Sequence, residues 1–147
     1  MKKAIMFGLV LLSLFLIGCA GNEATGNSVV KGSNQYVEIP VDEITTQLTK
    51  YDYNAKGIAV TYFAVKGTDG NIRTAFDACD VCGGKKGYHQ QGTDIVCNNC
   101  GRVFSINGLG TQNKGYGCWP SYLPHKIENN QVIISTKDLE AGAYRFK

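Results

Sequence analysis

The sequence contains few of the features that mark an enzyme or a nucleic-acid binder. It has only two histidines, His89 and His125, and three prolines in 147 residues. It holds no G-x-S-x-G, no H-E-x-x-H and no pairing of a nucleophile with a base, so hydrolytic chemistry finds no machinery. Internal repeats are absent, and no stretch carries the periodicity of a long amphipathic helix. An excess of one charge is missing too. Fifteen basic residues stand against 12 acidic ones, and Lys2 and Lys3 lie in a leader expected to be removed. The near-neutral remainder gives no electrostatic footprint for nucleic acid. Lys85-Lys86 is the one basic pair beyond the leader.

The first positive signal is an address. Lys2-Lys3 precede the almost unbroken apolar run Ala4 to Ile17, which has the length of a signal h-region and is short for a membrane span. Leu16-Ile17-Gly18-Cys19 follows and resembles the bacterial lipobox, in which the cysteine is diacylated, with palmitate or a similar chain, and becomes the first residue. This predicts a lipoprotein signal over residues 1–18 and a lipid on Cys19. Residues 19–33 are polar, rich in Gly, Asn, Ser and Thr, and read as a flexible tether. Residues 34–147 are the expected folded domain. The other reading is an uncleaved N-terminal anchor. Both place the domain outside the cytoplasm, at the cell membrane or at a Gram-negative outer membrane.

Across the chain, 18 glycines and eight tyrosines, with many Val and Ile, indicate β structure with tight turns beyond the tether. Strands are expected at Gln35 to Ile39, Gly57 to Val65 and Ile72 to Phe76. The last two form a hairpin across Lys66-Gly67-Thr68-Asp69-Gly70-Asn71. Gly87 to Gln90 and Asp94 to Val96 make a second hairpin, and Val103 to Ile106 another strand. Lys126-Ile127 and Val132 to Ser135 flank an Asn129-Asn130 turn. Val41 to Ile44 reads as one helical turn, Thr136 as the cap of a short turn through Leu139, and Tyr144 to Phe146 as a closing strand. Gly108 to Pro124 is a long glycine-rich loop, and loops of that length are usually functional or disordered.

The cysteines carry the chemistry. Cys79-x2-Cys82 is separated by fourteen residues from Cys97-x2-Cys100. Glycine follows each pair, as Cys82-Gly83-Gly84 and Cys100-Gly101. Two thiolates three residues apart on a tight loop can face one ion, and glycine lets the backbone turn its N–H groups toward the sulfurs. A hairpin between two such loops brings four sulfur ligands together. Three other readings stay open: a structural zinc ribbon, disulfides suited to an oxidising compartment, and thiol–disulfide redox chemistry, which lacks a βαβ context here.

Phe76-Asp77-Ala78-Cys79-Asp80-Val81-Cys82, Gly87-Tyr88, Val96-Cys97-Asn98-Asn99-Cys100-Gly101, Phe104, Gly117-Cys118 and Leu123 together resemble the membrane iron–sulfur FtrD-like family. The resemblance spans about Val60 to Ser135. It implies an extracytoplasmic iron–sulfur protein linked to ferrous-iron uptake. Members often carry several membrane spans; here a lipid anchor would take their place. A more distant fold resemblance is to Rieske-type domains, whose second ligand loop reads C-x2-H-G-x2-F. The corresponding stretch is Cys97-x2-Cys100-Gly101-x2-Phe104, and Gly115 to Pro120 occupies the place of the loop over the cluster. No histidine stands at a ligand position, so ligation would be all cysteine and the potential low, nearer the roughly −400 mV of plant-type ferredoxins. Four thiolates also suit zinc or a mononuclear iron.

The expected architecture is therefore all-β: a small Rieske-like or zinc-ribbon-like domain with two cysteine knuckles on adjacent hairpins. The expected cofactor is an iron–sulfur cluster on Cys79, Cys82, Cys97 and Cys100, shielded by Gly83, Gly101 and the Cys118 loop. The expected work is electron transfer or iron handling beside a membrane redox or metal-transport complex, not catalysis. A zinc-bound accessory lipoprotein and a metallochaperone are the alternatives. Cys118 is either a fifth sulfur or shield at the centre, or a buried free thiol against Trp119. His89 and His125 are expected at the surface rather than as ligands, and Asp77 and Asp80, which flank Cys79, as solvated loop ends rather than as groups that tune the centre or bind a cation.

Overall fold

A computed structural model describes residues 35–82 and 86–147. The signal, the lipobox, Cys19, the tether and Gly83 lie outside the described residues. The chain forms β1 (Tyr36–Pro40), a 3-10 turn (Val41–Glu43), β2 (Thr49–Ala55), β3 (Ile58–Lys66), β4 (Ile72–Phe76), β5 (Tyr88–Gln91), β6 (Asp94–Cys97), β7 (Val103–Ser105), a 3-10 turn (Ile106–Gly108), β8 (Lys126–Glu128), β9 (Gln131–Ser135), α1 (Thr136–Gly142) and a last 3-10 turn (Ala143–Phe146). The strands make three antiparallel sheets of three, ordered β1-β9-β8, β2-β3-β4 and β5-β6-β7. Among the described residues, no helix is long and apolar enough to cross a membrane.

The middle sheet organises the molecule because β3 is apolar on both faces. Alternate side chains of a strand point to opposite sides. Val60, Tyr62 and Ala64 enter one core with Ile39, Ile134, Leu139 and Phe146. Phe63 and Val65 enter a second core with Tyr88, Ile95, Phe104, Cys79 and Cys97. A strand covered on both sides reads as a continuous apolar run, which is why Gly57 to Val65 was legible. The second core is the one that carries the thiols.

Three local expectations need correction. Tyr144 to Phe146 is not a strand; it is the closing 3-10 turn, because Phe146 turns inward to pack on Phe76. The last helix runs to Gly142 and is capped by Ser135, whose hydroxyl accepts from the Lys137 N–H at 3.2 Å. Thr136 is instead held by the Gln35 carbonyl, 3.1 Å from its hydroxyl. Strand β2 also lacked a sequence signal. It is an edge strand whose polar members Lys50, Asp52 and Asn54 alternate with tyrosines.

Arg73 locks the second core to the middle sheet. It is 8% exposed. Its guanidinium donates to both Asp69 oxygens at 2.8 and 2.6 Å, and to the carbonyls of Asn71, Leu109 and Asn107 at 2.9, 3.2 and 3.1 Å. The guanidinium holds the Asp69 carboxyl well below the usual carboxylate range. Arg73→Met orphans the Asn107 and Leu109 carbonyls where the long loop begins. It is expected to cost about 3 kcal/mol in urea unfolding.

His125 is half-buried rather than on the surface. Thr74 donates its hydroxyl proton to the Leu123 carbonyl at 2.7 Å, so His125 Nδ1, 2.9 Å from Thr74 Oγ1, must be the donor in that pair. Burial lowers its pKa. The unfolded chain therefore binds this proton first as pH falls below about 6.5. Stability is expected to drop on acidification through that range, and unfolding curves of His125→Gln should show a smaller drop.

Candidate metal centre

The two thiol pairs are held by different devices. Cys97 ends β6, and the turn after it closes the β6–β7 hairpin. The N–H of Gly101 donates to the Cys97 carbonyl at 2.9 Å, and the Cys97 N–H to the Arg102 carbonyl at 2.9 Å. Gly101 has φ of +70°, a conformation that favours glycine. Cys79 and Cys82 lie on the link from β4 to β5, which crosses from the middle sheet to the third. So one knuckle is a hairpin turn and the other is an inter-sheet connection. The β5–β6 pairing brings them together: Tyr88 opposes Cys97, and the Asn98 N–H donates to the Gly87 carbonyl at 3.0 Å.

The sulfurs of Cys82, Cys97 and Cys100 all lie within 4.8 Å of one another. Cys82 Sγ and Cys97 Sγ are 3.9 Å apart. A tetrahedron of bonds near 2.3 Å, the length of a zinc–thiolate bond, has edges of about 3.8 Å. Cys79 is not within that tight group, but it borders the same small cavity as Cys82, Cys97 and Tyr88. Its sulfur accepts the N–H of Cys82 at 3.1 Å. Burial runs from Cys97, 3% exposed, to Cys100, which opens to solvent.

The electrostatics favour a cation. Burial opposes ionisation of Cys79, yet the N–H groups of Cys82 and Val81 and the Tyr88 hydroxyl outweigh it, and its pKa falls. The Arg102 N–H, with help from Cys97, lowers Cys100. Cys82 goes the other way. Asn99 favours its thiolate, but the Cys79 thiol, burial and Cys97 push it up to about 12. Thiols this close cannot all ionise unaided, because each negative sulfur disfavours the next. A bound cation relieves that repulsion. The donor set thus fits a thiolate-ligated metal or cluster.

The surroundings of the sulfurs supply donors that the sequence did not reveal. Tyr88 is 1% exposed, and its hydroxyl donates to the Cys118 carbonyl at 2.7 Å. It is tied electrostatically to Cys79, Cys97 and Cys82, and with burial these push its own pKa far up. Trp119 packs on Phe104 with its ring tilted by 43° and 4.7 Å between centres, so the long loop folds back over the second core. Cys118 is half-buried there, and its backbone is what meets Tyr88.

The two aspartates are not solvated loop ends. Asp77 is 7% exposed, with Lys50 Nζ at 2.6 Å and the Tyr88 N–H at 2.8 Å. Asp80 takes Arg145 Nε at 2.9 Å and the Tyr144 hydroxyl at 3.0 Å. Their partners lie so far along the chain that no spacing pointed to them. Neither histidine approaches the thiols as a ligand: His89 Nδ1 pairs with the Asn98 side chain at 2.5 Å, and His125 with Thr74.

The family model described as "Membrane iron-sulfur containing protein FtrD-like" matches residues 44–146. No curated protein matches the chain, and no solved structure does either. The resemblance to Rieske domains thus gains no support from a structural neighbour.

Proposed function

We propose, since this chain belongs to the FtrD-like family of membrane iron–sulfur containing proteins, that Cys79, Cys82, Cys97 and Cys100 together hold an iron–sulfur centre used for electron transfer or iron handling at the membrane surface. The observation that carries this reading is the convergence of three sulfurs from two separate loops within 4.8 Å. Cys79 is the fourth ligand of the proposal, supported by its place on the shared cavity. When bound, such a cluster supplies one-electron chemistry.

The chain's own groups set the conditions for it. Backbone N–H groups of Val81, Cys82 and Arg102 face Cys79 and Cys100. The Asn99 side chain favours the Cys82 thiolate, and the Tyr88 hydroxyl, which donates to the Cys118 carbonyl, lies beside Cys79. Hydrogen bonds to thiolates favour their charge, and donors around a centre tune its potential. Aromatic packing from Phe104 and Trp119 keeps water from the inner side.

Protein purified without oxygen is expected to show visible absorbance and an EPR signal that changes on reduction. A colourless protein with one zinc per chain would exclude the cluster. A second reading, delivery of a metal ion to a transport complex, draws on the exposure of Cys100, which gives an incoming ligand access to one corner of the site. An ion exchanging with a chelator in minutes would favour delivery over electron transfer.

Cys19 is the proposed lipid attachment point, holding the domain at the outer face of the membrane. Cys19→Ser is expected to move the protein from the membrane to the soluble fraction of expressing cells, as read by fractionation and immunoblotting. Unchanged membrane retention would refute the anchor.

A further inference from the structure

We propose that Arg145 and Tyr144 are positioning residues for the first thiol pair, acting through Asp80; the role rests on the proposed metal centre, but the thiol geometry it governs does not. Asp80 lies inside the Cys79-x2-Cys82 loop. A single oxygen, Oδ1, accepts from Arg145 Nε at 2.9 Å and from the Tyr144 hydroxyl at 3.0 Å. The ion pair is largely withdrawn from water: the side chains are 16% and 12% exposed. Paired charges in that setting are screened far less than surface ones.

The guanidinium is itself fixed. It sits 4.4 Å from the Tyr144 ring centre and 5.3 Å from that of Phe76. Such contacts favour a cation over an aromatic face. Phe76 closes β4 three residues before Cys79, and its ring also packs on Phe146, 6.3 Å between ring centres. The last turn of the chain therefore grips both the strand that leads into the loop and the carboxylate within it. Asp77 ties the stem of the loop to Lys50 and Tyr88, and between Cys79 and Cys82 Asp80 is the side chain that bonds to another element.

The second pair needs no such help. Cys97 and Cys100 are held by their own hairpin through the Gly101 and Cys97 N–H groups. The two halves of the site thus differ in support: the second pair is held within its own hairpin, and the first takes an added grip from 65 residues away. Loss of the C-terminal grip should loosen Cys79 and Cys82 and spare Cys97 and Cys100. A general loss of stability would loosen all four.

That difference is the test. Full-length Arg145→Ala, Arg145→Lys, Asp80→Asn and Tyr144→Phe are prepared metal-free under reduction. The alkylation rate of each cysteine by iodoacetamide is read by peptide mass spectrometry. Arg145→Ala and Asp80→Asn are expected to speed Cys79 and Cys82 by about tenfold relative to Cys97 and Cys100, a change as large as the smaller losses of metal affinity that follow removal of a ligand's outer partner. Arg145→Lys should restore much of the protection, and Tyr144→Phe should show a smaller effect of the same pattern. Equal acceleration of all four cysteines, or none, would overturn the proposal. If Arg145→Ala fails to fold, Asp80→Asn and Tyr144→Phe decide it. The readout needs no metal, so a chain that binds none would defeat the iron–sulfur reading and leave this one standing or falling by itself.

Discussion

Cys97→Ser is expected to purify without its metal, with affinity for iron or zinc reduced by 100-fold or more. Cys97 stands at the junction of the two thiol pairs. Its sulfur is 3.9 Å from Cys82, it shares the three-sulfur group with Cys100, and it is 3% exposed. Serine keeps the shape but gives a hydroxyl that is far harder to ionise and poorly matched to a soft ion. The site then keeps two sulfurs of its tight trio, across a gap that serine does not fill. Cys118→Ser is the internal control. The structure engages Cys118 through its carbonyl, so this variant should load metal normally. Loss of metal in Cys118→Ser would instead make Cys118 a fifth sulfur. Metal content and chelator competition separate the outcomes. Because binding free energy is folding free energy when the unfolded chain has no site, chelation should also lower the melting temperature of the wild type and leave Cys97→Ser nearly unchanged.

Asp77→Ala should be among the most destabilising single changes, about 3 kcal/mol, or a fall of about 12 °C in melting temperature. Asp77 is where three strands meet. Its backbone N–H donates to the Thr61 carbonyl of β3 at 2.9 Å. One carboxylate oxygen takes Lys50 of β2 at 2.6 Å, and the other takes the Tyr88 N–H of β5 at 2.8 Å. Burial raises the Asp77 pKa and Lys50 opposes that shift, so the ionised form depends on both partners. Alanine leaves the Tyr88 N–H without its acceptor in the second core. Lys50 is 39% exposed along its side chain and can reach water, so its own loss is the smaller part. Asp77→Asn keeps an acceptor for Tyr88 and should cost about half as much. Gly87→Ala attacks the same knot from the other side. Gly87 has φ of +63°, and an added Cβ would collide with the Asp77 carboxylate. It should destabilise at least as strongly as Asp77→Ala. Near-neutral unfolding curves for both alanine variants would mean that the knot does not hold the first thiol loop to the third sheet.

What the sequence disclosed follows the range of the forces involved. Hairpins were legible because their signals are local. Asn129 and Asn130 both take positive φ, 50° and 60°, as a two-residue turn requires, and Gly92 does the same between β5 and β6. The thiol spacing was legible because ligand pairs on one loop are local as well. The partners of Asp77 and Asp80 were hidden, since Lys50 and Arg145 lie 27 and 65 residues away and nothing in a single sequence links them. Tyr88 was visible as part of the family pattern, but its role was not, because a tyrosine opening a strand reads as ordinary core. The closing turn was misread for a related reason. Tyr144-Arg145-Phe146 alternates like a strand, yet its geometry is set by the ring of Phe76 and the carboxylate of Asp80, both outside any local window.

The most direct test is X-ray absorption at the metal edge of anaerobically isolated protein. Four cysteines converging on one inorganic centre predict a first shell of sulfur alone near 2.3 Å, with a short iron–iron distance added if the centre is a cluster. A shell dominated by nitrogen or oxygen, or a protein that retains no metal while its cysteines are found paired as disulfides, would contradict it.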